Sequence, residues 1–201
     1  MVPMRVRRFA LSLCTAFLAL LVAACSHERL GPPPPGTHRR VGRDISYCLD
    51  ANASAELELG VREVFQLWSD STQFKFTYAG KSRSGYGRDG RNQIVILKKW
   101  PNELPIGTAA WCQAYLDKDG NITEADILLN AQAFSFTTRR EAKPGSLYIE
   151  DVLSREIGRS LGLGLGEDAS DRYKAAAAGD GFEPGIDPAE MAAYLSLYAA
   201  N

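Results

Sequence analysis

The chain has 201 residues, with 23 Lys and Arg against 24 Asp and Glu and a formal net charge of −1. At that length one domain with a leader or tail is the default, and 45% hydrophobic with 9% aromatic residues is too apolar for a disordered chain. Charge near zero excludes the basic excess that a nucleic-acid binder usually carries. The two histidines, His27 and His38, both lie in the first fifth of the chain. The region expected to fold therefore contains none.

Residues 1–24 read as an export signal. Arg5, Arg7 and Arg8 form a basic start, and Phe9 to Val22 form an apolar run broken only by Ser12, Cys14 and Thr15. That run is too short to span a bilayer comfortably, so cleavage is expected rather than a transmembrane helix. Its end, Leu21-Val22-Ala23-Ala24-Cys25, resembles a bacterial lipobox, in which the cysteine is acylated and becomes the mature N-terminus. The resemblance implies lipid attachment at Cys25 and a location in the bacterial cell envelope, at the outer-membrane, periplasmic or cell-surface face. More than one acyl chain on a residue anchors stably where a single chain is marginal.

Residues 25–44 read as a tether. Pro32 to Pro35 between Gly31 and Gly36 favour an extended polyproline spacer, and Arg39, Arg40 and Arg43 behind it are expected to be solvated. Loss of the leader removes three positive charges and no negative ones, which leaves the mature chain acidic.

The folded domain is expected over 45–201, with a single core. Ile45 to Leu49 is a short strand. Leu57, Val61, Val64, Phe65 and Trp68 recur at helical spacing behind a Ser54 cap,. Phe74 to Tyr78 alternates as a strand, Lys81 to Arg91 is a polar loop, and Ile94 to Leu97 is a buried strand. Thr108–Leu116 and Ile122–Leu129 flank Asp117-Lys118-Asp119-Gly120-Asn121, the signature of an antiparallel hairpin. Ile149, Val152, Leu153, Ile157 and Leu161 mark a helix that Gly162 ends. A last helix starts at Asp187-Pro188-Ala189-Glu190, with a cap, a proline at the first position and a glutamate at the third. Its expected core face is Met191, Tyr194, Leu195 and Tyr198.

The segment Arg155-Glu156-Ile157-Gly158-Arg159-Ser160-Leu161-Gly162-Leu163-Gly164-Leu165 resembles the zinc-binding helix of matrixin-type metallopeptidases, a metzincin family. The family signature is His-Glu-x-x-His-x-x-Gly-x-x-His. Two histidines four apart share a helix face, a glycine turns the chain towards the third ligand, and the glutamate polarises the zinc-bound water. Glu156, Gly158, Gly162 and Gly164 stand where the family puts them. The ligand positions hold Arg155, Arg159 and Leu165. A guanidinium has no lone pair for a metal, and leucine has none either. The resemblance extends to Ile45–Asp50, Leu67-Trp68-Ser69, Ala125–Asn130 and Ile186–Tyr198, so it covers most of 45–201. In place of the family's methionine turn the chain has Lys174 and four alanines.

This resemblance implies an α+β, metzincin-like (zincin) domain: a five-stranded mixed twisted sheet with an antiparallel edge strand, and three helices. It implies an extended peptide, or an envelope protein, along the edge strand at Thr108, Ala110 and Cys112, since backbone pairing at an edge needs no metal. Zinc is the family cofactor, and none is expected here; Glu156 is then a remnant of the general base. An exported, oxidising environment favours pairing Cys48 with Cys112, whereas the family's strand order would put them about three strand spacings apart, or ~14 Å, too far for a disulfide. Two other functions stay open: a working zinc metalloendopeptidase with atypical ligands, or a purely structural envelope lipoprotein. Read without the resemblance, Arg155, Glu156 and Arg159 are a solvated helix face with Asp151–Arg155 pairing, or the arginines bind an anion. Asp117, Asp119 and Asn121 lack the downstream glutamate of a calcium loop and read as a polar turn. Arg83, Arg88 and Arg91 with Tyr86 read as a plain loop rather than a nucleic-acid contact.

Overall fold

The computed structural model describes residues 38–138, 146–163 and 185–199. In chain order the elements are β1 (Asp44–Asp50), α1 (Ala55–Ser71), β2 (Lys75–Ser82), β3 (Asn92–Leu97), β4 (Ala110–Leu116) and β5 (Ile122–Asn130). They are followed by β6 (Ser135–Thr137), β7 (Ser146–Tyr148), α2 (Ile149–Ser160) and α3 (Pro188–Tyr198). The class is α+β, with three helices among the described residues. The five-stranded sheet is ordered β2-β1-β3-β5-β4. Every neighbouring pair is parallel except β4 with β5. The short β6 and β7 pair separately, in parallel.

Local chemistry explains most of these boundaries. The Ser54 hydroxyl accepts from the Leu57 amide at 3.1 Å and opens α1, which buries Val61, Val64, Phe65 and Trp68. The β4–β5 turn is held by Asp117, whose Oδ1 accepts from the amides of Asp119 and Asn121, both at 2.9 Å. These amides hold the Asp117 carboxyl below its usual range. The carboxylate is thus spent on turn amides, as a polar turn requires. Helix α2 ends in a double backbone closure, Gly162 N–H to Arg159 O and Leu163 N–H to Gly158 O. Gly162 sits at φ +85°, the left-handed cap conformation. At α3 the Asp187 side chain accepts from the Ala189 amide at 2.6 Å.

Alternation along β5 divides the core. Ile127 and Leu129 face α1 and α2 in the main cluster with Leu49, Trp68, Leu153 and Ile157. Leu128 faces the opposite side, under Val95, Trp100 and Leu104. Cys48 and Cys112 are both free, on β1 and β4 with two strands between them.

Several expectations are corrected. Strand β2 runs on to Ser82, where a polar loop was expected, because it keeps pairing with β1 through a register shift at Tyr47/Leu49. Lys81 then reaches back to the Ala53 carbonyl at 2.7 Å and Glu58 at 3.2 Å. Thr108 lies ahead of β4, outside the strand. Leu195, expected in the core, is 51% exposed, since the inward stripe of α3 runs through Glu190, Tyr194 and Tyr198. Glu190 reaches beyond its own helix. It turns inward to accept from Ser154 Oγ at 3.0 Å, which itself accepts from Trp68 Nε1.

The end of the segment assigned to the tether also lies on the fold. Val41 N–H bonds Ile122 O at 3.1 Å and Ile122 N–H bonds Arg39 O at 2.9 Å, so residues 39–41 run as a strap beside the start of β5. Arg40 is buried rather than solvated. His38 Nδ1 donates to Gly120 O at 2.6 Å, so the folded region does hold one histidine.

Candidate functional site

Helix α2 carries the residues that the sequence singled out. Ile149, Val152, Leu153 and Ile157 make its apolar face. Glu156 lies seven residues after Ile149, on that same face, so the helix drives its carboxyl into the interior. Its exposure is 0%. The expected solvated face is therefore wrong at its centre, while Arg155 and Arg159 on either side are half-buried. Arg159 Nη1 donates to Glu156 Oε1 at 2.6 Å, and the Arg159 side chain is 20% exposed. One end of this pair is dry and the other reaches solvent.

Burial pushes the Glu156 carboxyl up to about 7, against the opposing pull of Arg159, the Cys112 backbone amide and Arg155. The Cys112 thiol behind it is buried and pushed far up, by desolvation first and by Glu156 second. Such a thiol is inert towards alkylation or metal at neutral pH. Glu156 Oε2 has no hydrogen-bond partner among the described residues. Strand β4, which carries Cys112, is one edge of the sheet. Ala110, at the strand's start, is fully buried. The Thr108 carbonyl accepts from Asn130 Nδ2 at 2.9 Å.

The structure thus brings Arg155, Glu156, Arg159 and Cys112 together between α2 and the edge strand, with Ala110 further along β4 and Thr108 just outside it. Leu165 and Cys25 lie outside the described residues. The donor set at 155 and 159 does not fit zinc: both side chains are cations without a lone pair, and one of them holds the glutamate. Among the described residues no three His, Cys, Asp or Glu side chains cluster to hold a metal.

Two polar clusters were missed in the sequence. On the sheet's other face Glu124 accepts from the Asp89 and Gly90 amides at 2.9 and 2.7 Å. Beside it, Asp126 accepts from those of Gly87 and Gln93 at 2.9 and 3.0 Å. These two carboxylates clamp the loop before β3 onto the sheet. Desolvation lifts Asp126 to about 7 despite the amides. The signal was two acidic residues, two apart, in the otherwise apolar Ile122–Leu129 run. The second cluster, Trp68–Ser154–Glu190, ties α1, α2 and α3 together.

No protein-family model matches the chain, and a search of curated proteins finds nothing similar to it.

Proposed function

We propose that this protein is a membrane-tethered, matrixin-like pseudopeptidase: an envelope lipoprotein that binds an extended peptide or a partner protein and carries no catalytic zinc. The observation that carries the reading is the Glu156–Arg159 pair. A metallopeptidase glutamate must face a metal-bound water. Here the carboxyl at that position is held by a guanidinium standing at a ligand position. Further support comes from the antiparallel edge strand beside it, a kind of edge along which an added strand gains backbone hydrogen bonds without any metal.

A pulldown on an array of extended peptides tests the binding function. Retention of a defined subset, competed by the same free peptides, is expected. Uniform failure to retain any peptide would leave a purely structural lipoprotein as the better reading.

The anchor is the Cys25 lipid. Cys25→Ser is expected to block processing or to release the protein into the soluble fraction, read by fractionation after a high-salt wash. A variant processed and retained wholly in membranes would remove the lipobox from the account.

A further inference from the structure

We propose that the extended peptide bound along β4 presents a carboxylate to Arg155 and Arg159, so that the protein selects acidic ligands. The inference rests on the edge-strand reading above and adds the chemistry of the ligand. Backbone pairing at a sheet edge gives affinity with little regard to sequence, and selectivity comes from the side chains beside the edge. Strand β4, whose sequence is AWCQAYL, has no charged side chain of its own. Helix α2 supplies charge next to it. Among the charges acting on the Cys112 thiol, those of Glu156 and Arg159 come first, ahead of Arg40 and Asp126.

Arg155 and Arg159 stand one helical turn apart and so share a face of α2. Both act on the Glu156 carboxyl, and both are half-buried. Asp151, a turn before Arg155, is the other acid on this stripe of the helix. The Arg159 side chain is 20% exposed and that of Glu156 0%. A carboxylate arriving from solvent therefore meets the guanidinium first, with the like charge of Glu156 lying behind it. Burial pushes that carboxyl up to about 7, which weakens its hold on the guanidinium near neutral pH. Arg159 donates to Glu156 through Nη1, and a guanidinium has five N–H donors in a planar fork. Holding one carboxylate does not use up its capacity, and the fork matches a second carboxylate in two parallel hydrogen bonds. The ligand carboxylate is either an Asp or Glu side chain of the peptide or its C-terminus, which offer the arginines the same two oxygens.

The test is a fluorescence-anisotropy titration of the full mature chain with the peptides retained by an array of short extended sequences. Each is made as the free acid, as the C-terminal amide, and with Asp and Glu replaced by Asn and Gln. Removing the carboxylate is expected to weaken binding roughly ten- to a hundredfold, the range of a charge-assisted hydrogen bond. A loss on amidation assigns the C-terminus, and a loss on Asn or Gln replacement assigns a side chain. Arg155→Gln is expected to weaken the carboxylate-bearing peptide about tenfold and to leave the carboxylate-free form unchanged, which separates lost recognition from misfolding. Peptides that bind equally in all three forms overturn this proposal and leave the edge-strand reading standing. An array that retains no peptide overturns both.

Discussion

The unfolding free energy of this protein is expected to fall by several kcal/mol as the pH rises from about 4 to about 7, and then to level off. Two buried carboxyls drive this, on opposite faces of the sheet. Glu156 rises from 4.5 to about 7, chiefly by desolvation, and Asp126 rises from 3.8 to about 7 for the same reason. A carboxyl whose pKa is higher in the folded state binds more protons there than in the unfolded chain. Its stabilisation is complete below the unfolded value and is lost as the pH climbs to the folded one. At about 1.4 kcal/mol per pKa unit, each group contributes on the order of 3 kcal/mol. Glu156→Gln is expected to flatten the slope between pH 4.5 and 7 by roughly half, since the amide keeps an acceptor for Arg159 and never ionises. Asp126→Asn removes the other half but weakens one loop amide bond. Urea titrations at half-unit pH steps read both effects. Stability that increases across this window, or a slope untouched by Glu156→Gln, would mean that Glu156 is ionised and solvated.

Gly162→Ala is expected to cost about 3 kcal/mol or more, the largest effect of any single methyl group in the described fold. At φ +85° a side chain costs roughly 1 kcal/mol. A Cβ there would also overlap the His38 carbonyl oxygen and crowd Ile122 Cδ1 at 3.2 Å. The only relief is to lift the strap, which forfeits the Val41–Ile122 and Ile122–Arg39 backbone bonds, at about 1 kcal/mol each. Gly185→Ala is the control, because a Cβ there meets nothing within 4 Å. Denaturation midpoints for the two variants should differ widely; near-equal midpoints would show that the strap is not seated against the end of α2.

What the sequence made legible was what is written locally. The Ser54 cap, the Asp117 turn, the Gly162 stop and the Asp187 cap each depend on a side chain and amides a few residues away, so they were read correctly. The strap was not, because Arg40 follows a proline run and its burial comes from pairing with Ile122, far along the chain. Strands β6 and β7 have three residues each, too few for alternation to register. Glu190 carried the local signature of a capping box, but its bond to Ser154, on another helix, is one that no local pattern announces. At the candidate site the motif gave the position of Glu156 but not its burial. The spacing Ile149, Val152, Leu153, Glu156 would have given that too, had the glutamate been counted on the apolar stripe rather than set aside as a charge.

The central claim is that a guanidinium has taken the place of a metal beside Glu156. Elemental analysis of the purified mature chain after equilibration with zinc tests it most directly, with casein digestion measured on the same sample. The account predicts zinc far below one equivalent and no digestion. Stoichiometric zinc, with chelator-sensitive proteolysis that Glu156→Ala abolishes, would contradict it and make the protein a working metallopeptidase with ligands other than those at 155 and 159.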